Sequence, residues 1–353
     1  MKNKKVLVLG DPHSMHTKKW MDGWILLGYH PISSGLGKKS IDNPFVFTEN
    51  INSTGGNGLK YLKNIFNFNK TLKEVDPHII NAHYTSSYGL IGALIKRKQD
   101  KLIIFLPGSD IMIDMNKSRI YSLVFSFIFS RADILVSVSE TMTSRLLKKS
   151  KKLKSKILTQ QYGVDIKLLD TYSSDSKNID IVTNRQWKPN SNYPILLEAI
   201  NHFSDKNIKL IGSDNSKYAK NILKKFKDLS SYSTGLIPYE KNLEFVGKSK
   251  IFISLTTSDG IPLSLIEAMY LGAIPIVSDI EPNREVIKDG VNGFIVLIEK
   301  LSLKNKIDEI LNLNDIEISN IQRYNRKLVL EKFDFEKNFE NLKRKINNLE
   351  RII

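Results

Sequence analysis

Residues 251–279 read IFISLTTSDGIPLSLIEAMYLGAIPIVSD. The apolar run 251–255 has strand composition. After a polar turn containing Asp259 and Gly260, residues 262–271 carry helical periodicity from Pro262 onward. Gly272 closes that helix and 274–277 is a second apolar strand. Strand, helix and strand in succession are the unit from which parallel sheets are built. The same alternation extends outward in both directions. Towards the C-terminus one more strand is expected at 294–296, and before 251 come strands at 179–183 and 209–211, with helices at 193–203 and 219–229. The first half repeats the scheme with strands at 5–9, 30–33, 79–82, 102–106 and 134–138. One helix there is marked by Trp20, Ile25 and Leu26, another by Leu90 and Ala93. The fold class expected is α/β, with two doubly wound Rossmann-like domains facing each other across a cleft.

The polar stretch DTYSSDSKN at 170–178 lacks apolar periodicity and reads as the linker. The domains expected are therefore 1–170 and 171–335, followed by a C-terminal helix, 336–353, that returns to pack on the first domain. A chain of 353 residues with 41% hydrophobic residues can fill two cores. It has no Cys, which excludes disulfides, thiolate nucleophiles and cysteine zinc sites and fits a reducing, cytoplasmic setting. The apolar part of MKNKKVLVLGDPHS is too short for a secretory signal. The longest apolar run, 120–129, is half the length of a spanning helix, so no transmembrane segment is expected. With 53 Lys and Arg against 37 Asp and Glu, the net charge is +16. The run KKSKKLKSK at 148–156 is cationic enough to attract nucleic-acid phosphates or anionic lipid, and equally reads as a solvated surface. The run 120–129, close to it in sequence, reads either as a buried helix or as an interfacial surface for a lipid-linked acceptor.

In open α/β sheets ligands bind beyond the carboxyl ends of the strands. At the end of strand 251–255, Gly260 allows close backbone approach and Pro262 suits a first helical turn, whose free N–H groups and positive dipole end favour a diphosphate. Asp259 and Glu267, with seven residues between them, can hold the two ends of a nucleotide sugar, because carboxylates accept strong hydrogen bonds from hydroxyls. After strand 179–183, NRQWKP supplies Arg185 and Lys188 as partners for phosphate. His13 and His16 lack a third metal ligand, which leaves a capping or acceptor-pocket role. The glycine-rich STGGNGLK at 53–60 resembles an anion-binding nest but lacks P-loop spacing. No Asp-X-Asp motif occurs. No metal and no cofactor are therefore expected.

The string from Asp259 through Glu267, Ala268, Met269 and Gly272 to the strand 274–277 resembles the signature of the retaining nucleotide-sugar glycosyltransferases of family 4, with Asp259 where Glu is commoner. The resemblance runs along nearly the whole chain. HTKKW (16–20), NAHY (81–84), PGSD (107–110), RADILVSVSE (131–140), YGVD (162–165), TGLIPYEKNLEFVGKSKIFIS (234–254) and EPNREVIKDGVNGFIV (281–296) follow one another as the family's landmarks do, and in the last of these Glu285, Gly290, Asn292 and Gly293 shape a loop beside the donor.

The resemblance implies a GT-B architecture and transfer of a sugar from a UDP-, GDP- or ADP-sugar to a glycan or lipid-linked acceptor. Retention of configuration without metal is implied too, in a setting such as cell-surface polysaccharide biosynthesis. Donor contacts are then expected from Gly10, Arg185, Lys188, Gly212, Asp259, Gly260, Ile261, Pro262, Leu263 and Glu267. On the acceptor side come His13, His16, His83, Tyr84, Ser109 and Asp110. Catalytic roles fall to Arg185, Lys188, Asp259, Asp110 and His83. Two departures stand out. The family's Lys usually falls nearer Asn190 or Ser191 than Lys188, and Pro107 replaces a His that touches the donor sugar, leaving His83 or Asp110 to hold the sugar or acceptor. The rival readings are a nucleotide-sugar 2-epimerase, and a basic nucleic-acid-binding protein supported by charge alone. Nucleic acid is not expected as a partner, whereas peripheral contact with the inner face of an anionic membrane fits a lipid-linked acceptor.

Overall fold

A computed structural model describes residues 4–37, 46–47, 64–107 and 118–350. The chain divides into two compact units, Met1–Tyr162 with Phe335–Ile353, and Gly163–Asp334.

The first unit contains a parallel sheet in the order β3-β2-β1-β4-β5-β6-β7. Its strands are β1 (Lys5–Leu9), β2 (His30–Leu36), β3 (Val46–Phe47), β4 (Ile79–His83), β5 (Lys101–Leu106), β6 (Ile134–Ser137) and β7 (Ile157–Thr159). The helices beside it are α1 (Met15–Leu26), α2 (Ile65–Val75), α3 (Leu90–Ile95), α4 (Arg119–Arg131) and α5 (Glu140–Lys149). Val6 to Leu9 and Leu102 to Leu106 are all buried, the unbroken apolar pattern of strands covered on both faces.

The second unit repeats the architecture. It comprises α6 (Ile166–Tyr172), β8 (Ile179–Thr183), α7 (Tyr193–Ile200), β9 (Ile208–Ile211), α8 (Lys217–Lys225), β10 (Ser233–Gly235), α9 (Tyr239–Gly247), β11 (Ser249–Ser254) and α10 (Leu263–Tyr270). These are followed by β12 (Ile274–Ser278), α11 (Glu281–Val286), β13 (Phe294–Val296), α12 (Lys300–Leu311) and α13 (Asp315–Lys332). The strands run parallel in the order β10-β9-β8-β11-β12-β13. Successive residues of β11 serve opposite cores: Ile251 and Ile253 pack with Tyr193, Leu197 and Ile307, whereas Phe252 packs with Leu243, Leu265 and Val329. The strands missing from the sequence reading, β3, β7 and β10, have two or three residues each, too few to show alternation.

The expected boundary at residue 170 is corrected by eight residues. Val164 and Leu169 are core residues of the second unit, and Val164 N–H donates to the Phe333 carbonyl. The polar stretch 170–178 is likewise held there. Asp170 accepts from Tyr270 at 2.8 Å and from Arg326 at 2.6 Å, and the Lys177 ammonium donates to the carbonyls of Gly247 and Leu271, both at 2.6 Å. Polar composition here reflects satisfied backbone carbonyls rather than a free linker.

The last helix, α14 (Phe335–Glu350), belongs to the first unit. Phe339 packs on Trp20, ring centroids 5.2 Å apart, and lies over Gly23, where a Cβ would come within 2.1 Å of its ring. Asn338 Nδ2 donates to the Gln161 carbonyl at 2.9 Å. Gly23→Leu is expected to lower stability by about 1–3 kcal/mol through overpacking. The thermal midpoint should fall, and adding Phe339→Ala should recover part of the loss because the two changes share one contact.

Candidate functional site

Each sheet reverses its winding direction once, between β1 and β4 and between β8 and β11. Loops diverge at such a switch point and leave a crevice at the carboxyl edge. In the second unit that edge is built by the loops after β8 and β11. Trp187 stacks on Tyr193 with centroids 3.8 Å apart and planes 8° from parallel, and the Tyr193 hydroxyl donates to the Arg185 carbonyl at 2.6 Å. Burial pushes the Tyr193 phenol far above its ordinary value, so it remains a donor. Gly212 ends β9 at φ +154°, and a Cβ there would lie 2.9 Å from the same Arg185 carbonyl. The β11 loop is tied on by Asn192 Nδ2, which donates to the Leu255 carbonyl at 2.6 Å, and by Thr257 N–H, which donates to the Asn190 carbonyl at 2.9 Å.

This scaffold brings Arg185 against Asp259. The guanidinium forms an ion pair with one carboxylate oxygen and donates to Ser264 Oγ at 3.3 Å. The other Asp259 oxygen accepts from Gly260 N–H at 2.9 Å. Two groups to which the sequence reading assigns separate duties are thus partners of each other. Pro262 stands at the N-cap of α10 in extended backbone, one position earlier than expected, and no side chain caps the helix. Glu267, 4% exposed, accepts from the Tyr239 hydroxyl at 2.6 Å. Lys188 is exposed before the turn Pro189–Ser191. Ile261 is in the core, and Leu263, half-buried, packs against it.

Four buried polar side-chain atoms along this edge lack a hydrogen-bond partner: Asn184 Oδ1, Arg185 Nε, Trp187 Nε1 and Thr256 Oγ1. Each such group costs about 1–3 kcal/mol when buried without a partner, and clustered cases call for an explanation.

In the first unit the same edge holds Gly10 and His83, placing Gly10, expected at the donor, beside a residue expected on the acceptor side. A Cβ on Gly10 would lie 2.6 Å from Thr17 Oγ1 and 3.0 Å from His83 Nδ1. His83 is 1% exposed, its Nδ1 is 3.4 Å from Thr17 Oγ1, and its Nε2 has no partner. His16 Nδ1 meets the Tyr162 hydroxyl at 2.6 Å, whereas His13 is exposed. Tyr84 begins a π-helical turn at φ +62°, a strained conformation of the kind that concentrates at functional sites. Ser109 and Asp110 lie outside the described residues, as does the loop 53–60. Sequence reasoning missed Ser264, Tyr239, Thr256 and the Trp187–Tyr193 stack. Each lies in or beside a stretch singled out in the sequence, Thr256 and Ser264 in 251–279, Trp187 in NRQWKP and Tyr239 in 234–254, but no spacing marked the individual residue.

Burial, and secondarily the charge of His16, push His83 down to about 3. The unfolded chain takes up this proton near pH 6.5, whereas the folded chain resists it until about pH 3, so protonation favours unfolding between those values. Stability should therefore fall as pH drops through that window. His83→Phe should show a shallower fall in urea titrations at successive pH values.

Residues 168–328 match the family described as Glycosyl transferases group 1, and residues 5–139 match Glycosyl transferase 4-like. No curated protein sequence matches the chain. Among solved structures, a glycosyltransferase from Rickettsia africae ESF-5 is 17% identical, with 99% of each chain covered and a TM-score of 0.74. HepE of Anabaena, solved with UDP and glucose, is 14% identical over 98% of this chain and 100% of that one, with a TM-score of 0.76. Sucrose-phosphate synthase of Thermosynechococcus elongatus is 14% identical over 99% and 100%, with a TM-score of 0.80. The two family matches fall one on each unit and between them take in both switch points, and the chain is a glycosyltransferase of the GT-B fold.

Proposed function

We propose that this protein transfers a sugar, with retention of configuration, from a nucleotide-diphosphate sugar to a hydroxyl of a glycan or lipid-linked acceptor. The observation that carries the donor assignment is the row of buried, partnerless polar atoms at Asn184, Arg185, Trp187 and Thr256, next to the uncapped start of α10. A ligand rich in hydroxyl and phosphate oxygens satisfies such groups. The complexes of HepE with UDP and with UDP-glucose support the same ligand class. Sequence resemblance to family 4 supports retention and a role in cell-surface polysaccharide assembly.

In this reading the diphosphate lies between Arg185, Lys188 and the first N–H groups of α10. Charge builds there as the bond from the anomeric carbon to the phosphate oxygen breaks and its electron pair moves to the diphosphate. No metal is invoked, in keeping with the absence of an Asp-X-Asp motif. Asp259 holds the Arg185 fork in place and turns towards the sugar, while Glu267, held by Tyr239, accepts from the ribose. The acceptor hydroxyl attacks from the face the phosphate leaves and yields its proton to the departing oxygen. His83, kept neutral, with Asp110 serves the sugar or acceptor in place of the His that Pro107 replaces. The enzyme works in the cytoplasm, at the membrane where a lipid-linked acceptor would lie.

UDP, GDP and ADP, each alone and as sugar conjugates, should be compared by thermal shift. One base should raise the midpoint, since a ligand bound at a hundred times its Kd stabilises by about 2.7 kcal/mol. Glu267→Gln should reduce that shift, and an equal shift in the variant would remove the ribose role. Arg185→Ala should lower turnover by about a hundredfold or more, the scale for losing one donor to transition-state charge. Anomeric analysis of the product by NMR tests retention directly, because an inverted linkage contradicts it.

A further inference from the structure

We infer that the outer face of α4, together with the lysines that follow α5, forms a docking surface for an anionic lipid bilayer. Helix α4 has two apolar faces. Phe125, Ile128 and Phe129 are buried in the first unit. Ile120, Leu123 and Phe127, spaced i, i+3 and i+7 on another side, are 72%, 71% and 41% exposed. A surface helix has one apolar stripe for its core, and a second stripe turned to solvent costs apolar hydration unless something covers it. Arg131 donates to the Ala93 and Lys96 carbonyls at 3.2 and 2.7 Å, which seats the end of α4 beside α3 and its exposed Leu94.

Tertiary structure also brings the basic run against this helix. Lys149, in the last turn of α5, donates to Ser122 Oγ at 2.5 Å, and Lys156 donates to the carbonyls of Phe129, Ser130 and Ala132. Lys148, Lys151, Lys152 and Lys154 of the same run are exposed. An apolar stripe flanked by lysines is the composition of a helix lying in the plane of a bilayer interface, with Ile, Leu and Phe entering the acyl boundary and ammonium groups reaching lipid phosphates. Charge selects this occupant over a second copy of the chain. Pairing two such faces would bring like-charged lysines together on a protein of net charge +16, whereas an anionic surface is complementary. The crossover from β5 to β6 places the start of α4, with Ile120, at the same edge of the sheet as His83. A surface docked there would deliver a lipid-linked hydroxyl to the acceptor side.

The test is co-sedimentation of the full chain with phosphatidylcholine vesicles, with and without phosphatidylglycerol, at low and high salt. Binding should require the anionic lipid and weaken with salt. Lys151→Glu with Lys152→Glu should weaken it by at least about thirtyfold. Leu123→Asp with Phe127→Asp should abolish it, while the thermal midpoint and the nucleotide-induced shift stay at wild-type values. No wild-type sedimentation with anionic vesicles at low salt would overturn the inference. So would binding unaffected by the Leu123 and Phe127 changes, which would leave a purely electrostatic patch. Concentration-dependent dimerisation lost in that double variant, without vesicle binding, would assign the face to self-association. Loss of vesicle binding with the nucleotide shift retained bears on this surface alone, and the converse bears on the donor site alone.

Discussion

The reversal of winding between β8 and β11 is the constraint on which the proposed donor site depends. Leaving β8 towards one edge and β11 towards the other, the chain separates two loops that would otherwise share backbone hydrogen bonds. That separation is bridged by Asn192 to Leu255, by Thr257 to Asn190 and by the Arg185 guanidinium to Asp259 and Ser264, and it leaves polar atoms of Asn184, Arg185, Trp187 and Thr256 buried without partners. A globular interior rarely tolerates this. The stacked Trp187–Tyr193 pair and its hydroxyl bond to Arg185 hold the loop in place, and Gly212, with no side chain, leaves room for the Arg185 carbonyl.

The two units meet the same constraint with opposite electrostatics. In the second, a cation is preoriented: Asp259 and Ser264 take two ends of the Arg185 fork, and its Nε is buried beside them. A guanidinium so held needs little reorganisation to meet developing negative charge. In the first, burial makes His83 a neutral side chain between Thr17 and Trp20. A neutral imidazole can exchange hydrogen bonds with a sugar hydroxyl without bringing a charge. The difference follows from surroundings, an acidic loop in one case and an aromatic shell in the other.

Much of the fold was legible because parallel strands covered on both faces are unbroken apolar runs. Ranges 5–9, 179–183 and 294–296 were read to the residue. The strands β3, β7 and β10 were not: two or three residues carry no period, and among the short strands only β13 is a run of three apolar residues. The unit boundary was misplaced because polarity does not distinguish a solvated linker from a segment whose polar groups are all engaged, as Asp170 and Lys177 are. For the site, Asp259, Gly260, Pro262 and Glu267 could be named because they lie on one strand–helix connection, where spacing in sequence is nearly spacing in space.

Partnerships across the sheet were another matter. Arg185 and Asp259 are 74 residues apart, and no local pattern couples them. Tyr239 reaches Glu267 from a neighbouring helix, and Lys149 reaches Ser122 from the helix after the next strand. By itself the sequence determined the longer elements, their parallel winding and the carboxyl edge at which a site is expected, since period, composition and turn residues act over a few positions. Only the tertiary structure decided which cation faces which carboxylate, which apolar stripe of α4 is turned outward, and which buried polar atoms are left without partners. Those outcomes depend on packing between segments distant in the chain.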